Sequence, residues 1–194
     1  MLDPHGIKFT YEVKSMMMGK KSLEAIKIML KHYNLDLNPE SYQRDREVLL
    51  DEMFKNCDLM PGALRLLIHL KNHNIPMAIA TSSHKRHFDL KIMKHKDLFQ
   101  NMFDHVITGD EVTQSKPNPE IFIKAAQKFG QDFNAAEFLV FEDSPLGVQA
   151  GVKAGMPVVW VYDQNQPKEN LFQATQKIKS LMHFSPQLYG LPPF

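Results

Sequence analysis

From Met60 to Tyr162 the chain alternates short apolar runs with stretches of helical periodicity, and each run stops at polar residues or a turn. The runs are IPMAIA (Ile75 to Ala80), HVITG (His105 to Gly109), FLVF (Phe138 to Phe141) and PVVWVY (Pro157 to Tyr162). Continuous apolar runs of this length suit strands buried on both faces, and strands separated by helices assemble into parallel sheets covered by helices. The expected class is therefore α/β, a parallel sheet with helices on both faces.

The connecting segments carry their own punctuation. Pro61-Gly62 opens a stretch in which Ala63, Leu64, Leu66, Leu67 and Leu70 read as one helical face, away from Arg65, His69 and Lys71. Asn118-Pro119-Glu120 supplies a cap, a first-turn proline and a first-turn acid ahead of Phe122, Ala125, Ala126 and Phe129, with Gly130 as a stop. Ser144-Pro145 opens another helix, where Gly147, Gly151 and Gly155 recur every four residues and let the backbone lie close to the sheet. Before Met60 the texture changes to two helical patterns, at about residues 21–34 and 39–57, with no strand-like run between them. Leu23, Ile26, Leu30 and Tyr33 line the first; Tyr42, Val48, Leu49 and Phe54 supply apolar positions in the second. Met16-Met17-Met18 reads as adaptable packing. The chain thus divides into a helical unit, 1–58, and an α/β unit, 59–194.

Composition excludes several function classes. The 23 basic and 22 acidic side chains leave no broad electrostatic footprint for nucleic acid, and no apolar run approaches the roughly 18 residues that cross a bilayer. The single cysteine, Cys57, forms no internal disulfide, and MLDPHGIKFT lacks the charged-then-apolar order of a secretory signal. The expectation is a cytoplasmic monomer without a nucleic-acid or membrane partner.

In an open parallel sheet, ligands collect beyond the carboxyl ends of the strands. At the first such end Thr81 offers a hydroxyl, and the Ser82 and Ser83 backbone N–H groups stand at the entrance of the following helix, where a phosphate could be cradled. The same three residues would equally make an ordinary helix cap. At the third end Glu142 and Asp143 adjoin four apolar residues; hard carboxylate oxygens there suit Mg²⁺, or else a helix-start acid with a solvated neighbour. Between them lies Lys116, which Pro117 biases toward an extended conformation; alone it reads as a surface lysine. Taken in order, hydroxyl, lysine and carboxylate pair suit phosphoryl chemistry, because a donor, a cation and Mg²⁺ can share the charge of a transferring phosphoryl group. His84-Lys85-Arg86-His87, with Lys91, Lys94 and Lys96, reads as a solvated helix face or as steering for an anion.

IAT at Thr81, SKPNPEIF at Lys116 and VFEDSPLGVQAG at Glu142-Asp143 resemble the second, third and fourth motifs of the haloacid dehalogenase-like hydrolases. MMMGKKSLEA, LMPGALRLLIHL and FSPQLYGLPPF are similar to pseudouridine 5′-phosphatases within that superfamily. The resemblance implies a Rossmann-like core, a small phosphorylated metabolite as substrate and Mg²⁺ as cofactor. Thr81 with Ser82 and Ser83 would bind phosphate, Lys116 would neutralise phosphoryl oxygens, and Asp143 and Glu142 would hold Mg²⁺. Strand alternation points these two neighbours apart, which favours Asp143 as the direct ligand and leaves Glu142 as a ligand or as an acceptor behind it. The unit before Met60 would be the remnant of a helical cap, with Lys20 of Gly19-Lys20-Lys21 helping to select substrate.

One part of the pattern is missing. The family's first strand carries Asp-x-Asp-Gly, the nucleophile and the general acid-base, and this sequence contains no such segment; Asp3, followed by Pro4 and His5, does not supply it. Family topology puts that strand between the one ending at Thr81 and the one ending at Asp143, so a central gap is expected. The chain is accordingly expected to be a truncated form of a phosphatase, roughly 35–45 residues short at ordinary element lengths, and catalytically silent as written. The rival readings are a non-catalytic phosphate-binding or regulatory module, and a receiver-type signalling domain. In the latter the acids come first and the lysine last, the reverse of the order here.

Overall fold

The computed structural model describes Leu2 and residues 5–17, 22–162 and 174–194. It divides into two compact units, Met1–Asn56 and Cys57–Phe194. Gly19, Lys20, Lys21, Met18 and Asp3 lie outside the described residues.

The first unit contains α1 (Tyr11–Met17), α2 (Ser22–His32) and α3 (Pro39–Lys55). Its core gathers Val13, Ile26, Met29, Leu30 and Tyr42, with Met17, Tyr33 and Leu35 packed around it. Asn38 starts α3 by accepting the Ser41 N–H at 2.7 Å ahead of Pro39. Two positions expected to pack do not: Val48 and Leu49 are 65% and 50% exposed. The buried side of α3 is set by Tyr42, and the stripe does not continue into the second half of the helix. Helix α1 was not anticipated, since YEVKSMM is too short to show a period.

In the second unit α4 (Ala63–Asn72), β1 (Ala78–Ala80), α5 (Lys85–Lys91), α6 (Lys96–Met102), β2 (His105–Ile107), α7 (Glu120–Gln127), β3 (Val140–Glu142), α8 (Pro145–Lys153), β4 (Val158–Val161) and β5 (Gln176–Ile178) follow one another. All strand pairs are parallel, as the apolar runs predict. Among the described residues they form two sheets rather than one: β1 pairs with β2, and the other sheet has the order β3-β4-β5. Among the described residues no strand joins β1 to β3, the position at which the sequence predicts a missing central strand.

Helices cover both faces. On one, Phe122, Ala125 and Ala126 of α7 and Val148 and Ala150 of α8 pack with Ile107, Val140, Val158 and Trp160. On the other, Leu66 and Leu70 of α4 pack with Met77, Val159, Ile178 and Phe184. Successive residues of β4 therefore serve opposite cores, which is why PVVWVY shows no alternation. Leu64, expected on the buried face of α4, is 46% exposed, because the face is set by Leu66 and Leu70 one turn apart. Strand β1 begins later than the IPMAIA run because Pro76 has no N–H and the Met77 N–H is taken by the Asp104 carboxylate at 2.8 Å.

The glycine ladder of α8 divides by role. A Cβ on Gly151 would lie 2.7 Å from Val158 Cγ2, and one on Gly147 would lie 2.0 Å from the Glu142 carboxyl carbon. Gly155 instead has φ +77° and ends the helix in the left-handed region. Gly147→Ala should destabilise the fold by about 1–3 kcal/mol, the ordinary cost of overpacking a close contact, whereas Gly130→Ala, with open space around it, should be nearly neutral. Urea unfolding midpoints of the two variants check this.

Candidate active site

The carboxyl ends of β1 and β3 open into a cleft of about 470 Å³ lined by Thr81, Ser82, Ser83, Lys116, Glu142 and Asp143. The structure therefore brings together six of the seven residues singled out in the sequence; the seventh, Lys20, lies outside the described residues. Apolar side chains, Phe141, Val161 and Leu181 among them, complete the wall.

Lys116 is the hinge of the arrangement. It sits between β2 and α7, and its peptide bond to Pro117 is cis. Its Nζ donates to the Ala80 carbonyl at the end of β1 (3.3 Å) and to Glu142 Oε1 at the end of β3, and lies 4.8 Å from the centre of the Phe122 ring. The pair is buried, with 11% and 7% of the two side chains exposed. An ion pair removed from water persists only when its remaining donors and acceptors are also satisfied. Glu142 meets that condition: Oε2 accepts the Asp143 and Ser144 N–H groups (3.2 and 3.3 Å) and the Ser144 hydroxyl (3.1 Å). Ser144 Oγ in turn accepts the Gly147 N–H at 3.0 Å and caps α8. The start of α8 is thus organised around a carboxylate, which its positive dipole end favours.

The two adjacent acids have different surroundings. Glu142 is the last paired residue of β3, opposite Trp160, and turns inward; Asp143, one residue on, is exposed at the mouth. The Asp143 carbonyl accepts the Trp160 indole N–H at 3.1 Å, which fixes the backbone that presents this carboxylate.

At the end of β1 the expected cradle is narrower than the sequence suggests. The Ser83 N–H turns back to Thr81 Oγ1 at 3.1 Å, and the first N–H of α5, on Lys85, donates to the Asp110 carboxylate at 2.6 Å. The entrance of α5 is therefore already capped, and the cleft is offered the Thr81 hydroxyl and Ser82. Asp110 follows β2, so this cap could not be seen from the local sequence. The close approach of the two loops requires Gly109, where a Cβ would lie 2.5 Å from the Ser82 carbonyl oxygen. The basic stretch is largely paired: Lys85 with Asp89, Lys94 with Asp58, and Lys91 donating to Ser83 Oγ at 2.8 Å. A solvated helix face accounts for it.

The loop that carries Lys116 is fixed by Glu120. This carboxylate accepts from Lys124, from the Thr113 N–H (3.0 Å) and hydroxyl (2.7 Å), and from the Gln114 N–H (2.9 Å). Lys124 first, and then these loop donors, hold its pKa down from an ordinary 4.5 to about 2. Asn118, the expected cap, accepts the Glu120 N–H at 2.9 Å and donates to Gln114 Oε1.

The family whose model is described as haloacid dehalogenase-like hydrolase matches residues 4–161. A "(DL)-glycerol-3-phosphatase 2" of Arabidopsis thaliana is 43% identical over 96% of this chain and 80% of its own length. A Drosophila melanogaster protein named "Probable pseudouridine-5'-phosphatase" is 40% identical over 100% of this chain and 85% of its own. The crystal structure of a HAD hydrolase, family IA, variant 3, from Entamoeba histolytica aligns with a TM-score of 0.74 at 23% identity, covering 97% of this chain and 85% of that one.

Glu142→Leu should cost about 3–5 kcal/mol by stranding the buried Lys116 cation, and Glu142→Leu combined with Lys116→Met should recover most of that loss in urea unfolding. For Glu120 the folded pKa lies below the unfolded one, so its contribution is complete above pH 4.5 and fades as pH falls toward about 2. The stability gap between wild type and Glu120→Gln should therefore narrow across that window, as followed by urea midpoints at each pH.

Proposed function

The chain belongs to the haloacid dehalogenase-like hydrolases, and we propose that it forms the phosphate-binding and Mg²⁺-binding side of a phosphatase for a small phosphomonoester. The observation that carries this reading is the convergence of Thr81, Lys116 and Asp143, from three separate stretches of sequence, on one cleft at the carboxyl ends of β1 and β3. The Thr81 hydroxyl donates to a phosphoryl oxygen. The Lys116 ammonium, with two contacts committed to Ala80 and Glu142, turns its remaining N–H and its charge toward the same group.

The donor set suits Mg²⁺. Asp143 offers hard carboxylate oxygens at the exposed mouth, beside the phosphate donors. Glu142, which strand alternation already makes the weaker ligand candidate, has both oxygens engaged by Lys116, Ser144 and the Asp143 N–H, so its task is to anchor the lysine. When bound, Mg²⁺ would supply further neutralisation of phosphoryl charge.

The leading substrate is pseudouridine 5′-phosphate, supported by the Drosophila relative and by the motif resemblance; glycerol 3-phosphate is the second reading, supported by the Arabidopsis relative. Met1–Asn56 would act as the remnant of the helical cap that discriminates between leaving groups, in a cytoplasmic monomer. Hydrolysis through an aspartyl-phosphate requires a carboxylate nucleophile, and the 194 residues contain no Asp-x-Asp-Gly. By themselves they bind phosphate and Mg²⁺ without turnover, which is also how a regulatory phosphate-binding module behaves.

Calorimetry of the 194-residue chain should show saturable binding of inorganic phosphate, weakened at least tenfold (about 1.4 kcal/mol) in Thr81→Val or Lys116→Met. Mg²⁺ binding should be lost in Asp143→Ala. No phosphate binding would overturn the site. Steady Mg²⁺-dependent phosphate release from either substrate, abolished in Asp143→Ala, would overturn the silence.

A further inference from the structure

Two histidines stand at the end of α4, away from the residues that line the cleft. His69 lies in the last turn and His73 is the C-cap, so the pair is spaced i, i+4 on one stripe of the helix, and the ring centres are 4.4 Å apart at 48°. Their hydrogen bonds decide which nitrogens remain as bases. A backbone carbonyl only accepts, so a ring nitrogen bonded to one carries the proton. His69 Nε2 donates to the Pro192 carbonyl at 2.8 Å, and His73 Nδ1 donates to the His69 carbonyl at 2.8 Å. In the neutral rings the lone pairs therefore belong to Nδ1 of His69 and Nε2 of His73.

Each ring thus has one N–H held by main chain and one basic nitrogen, the arrangement that orients imidazoles around metal ions. The position adds to this, because the C-terminal end of a helix carries the negative pole of its dipole and favours a cation. The segment that supplies the Pro192 carbonyl is itself tied to α4. The Phe194 ring centre lies 4.8 Å from that of His69, and Arg65 Cζ lies 3.9 Å from the same Phe194 centre, while the guanidinium donates to the Met182 carbonyl at 3.1 Å. Tyr189 and Leu191 pack in the core that contains Leu66 and Leu70.

We propose that His69 and His73 form a binding site for a divalent ion of the zinc type, with Nδ1 of His69 and Nε2 of His73 as ligands and water completing the coordination. Imidazole nitrogen suits Zn²⁺, whereas Mg²⁺ keeps to oxygen ligands, so this site and the cleft select different ions. Ligation at Nδ1 draws charge from the His69 ring and strengthens its N–H as a donor to Pro192. Ion binding is thereby coupled to the docking of residues 189–194 on α4. The proposal stands apart from the phosphatase reading, because it rests on α4 and the segment packed on it and needs neither phosphate nor turnover.

The test titrates the 194-residue chain with Zn²⁺ in excess Mg²⁺, followed by calorimetry, by long-range proton–nitrogen NMR of the histidine rings and by amide exchange. The first ion bound should perturb Nδ1 of His69 and Nε2 of His73 and slow exchange at Leu191 and Phe194. His69→Gln and His73→Gln should each weaken binding at least tenfold. Asp143→Ala should bind Zn²⁺ as the wild type does, and so should His84→Gln, although the His84 and His87 ring centres are 4.0 Å apart. No binding below millimolar Zn²⁺ would overturn the proposal. So would unchanged binding in either His69→Gln or His73→Gln, loss of binding in His84→Gln or Asp143→Ala, or perturbation of the opposite ring nitrogens. Binding without slower exchange at Leu191 and Phe194 would overturn the coupling. The ring spectra need no variant, so the ligand assignment is tested even where a substitution unfolds the chain. None of these results bears on phosphate binding, so the two readings fail separately.

Discussion

The buried contact between Lys116 and Glu142 is the interaction on which the rest of the α/β unit depends. It joins the last carbonyl of β1 to the last side chain of β3, across an interval that no backbone ladder spans among the described residues. Much of the nearby sequence serves this one contact. Gly147 omits a side chain so that the carboxylate fits, Ser144 satisfies its second oxygen, and Glu120 holds the loop from which the lysine projects. The energetic logic is that of any charge taken out of water. The pair is tolerable only while complete, so removing any one of the groups that complete it leaves the others buried without compensation.

The same logic explains why neighbouring acids serve different ends. Strand geometry sends successive side chains to opposite sides, so the first acid is absorbed into the core's polar seam and the second is presented at the rim. The cleft then combines a cation of fixed position, hydroxyls and an outward carboxylate beside the apolar side chains of Phe141, Val161 and Leu181. In the proposed function such a setting would take a doubly charged anion together with a cation, because each compensates the desolvation of the other.

The parts of this architecture that could be read in advance are those set by nearby residues. Strands β2, β3 and β4 fall within their apolar runs to within a residue or two, and the Ser144 cap of α8 is found as written. The gathering of Thr81, Lys116 and Asp143 was also readable, since strand ends in a parallel sheet share one side. What escaped depends on partners distant in sequence. The Asp110 cap on α5 crosses 25 positions. Strand β5 is three residues, Gln176–Ile178, with one buried side chain and no pattern of its own, and exists through its pairing with β4. The exposure of Leu64, Val48 and Leu49 was misjudged because periodicity reports that a face exists but not how far round the helix it extends. The commitment of Glu142 to Lys116 needed the fold itself.

Trp160 is the chain's only tryptophan; it is fully buried and donates its indole N–H to the Asp143 carbonyl. The molecule thus carries a single tryptophan, selectively excited at the red edge of aromatic absorption, hydrogen-bonded to the backbone of the residue that presents the rim carboxylate. Its emission wavelength reads the polarity of one core and its hydrogen bond reads the pose of one loop. Unfolding and ion uptake at the cleft can each be followed from within the native sequence, without an added label.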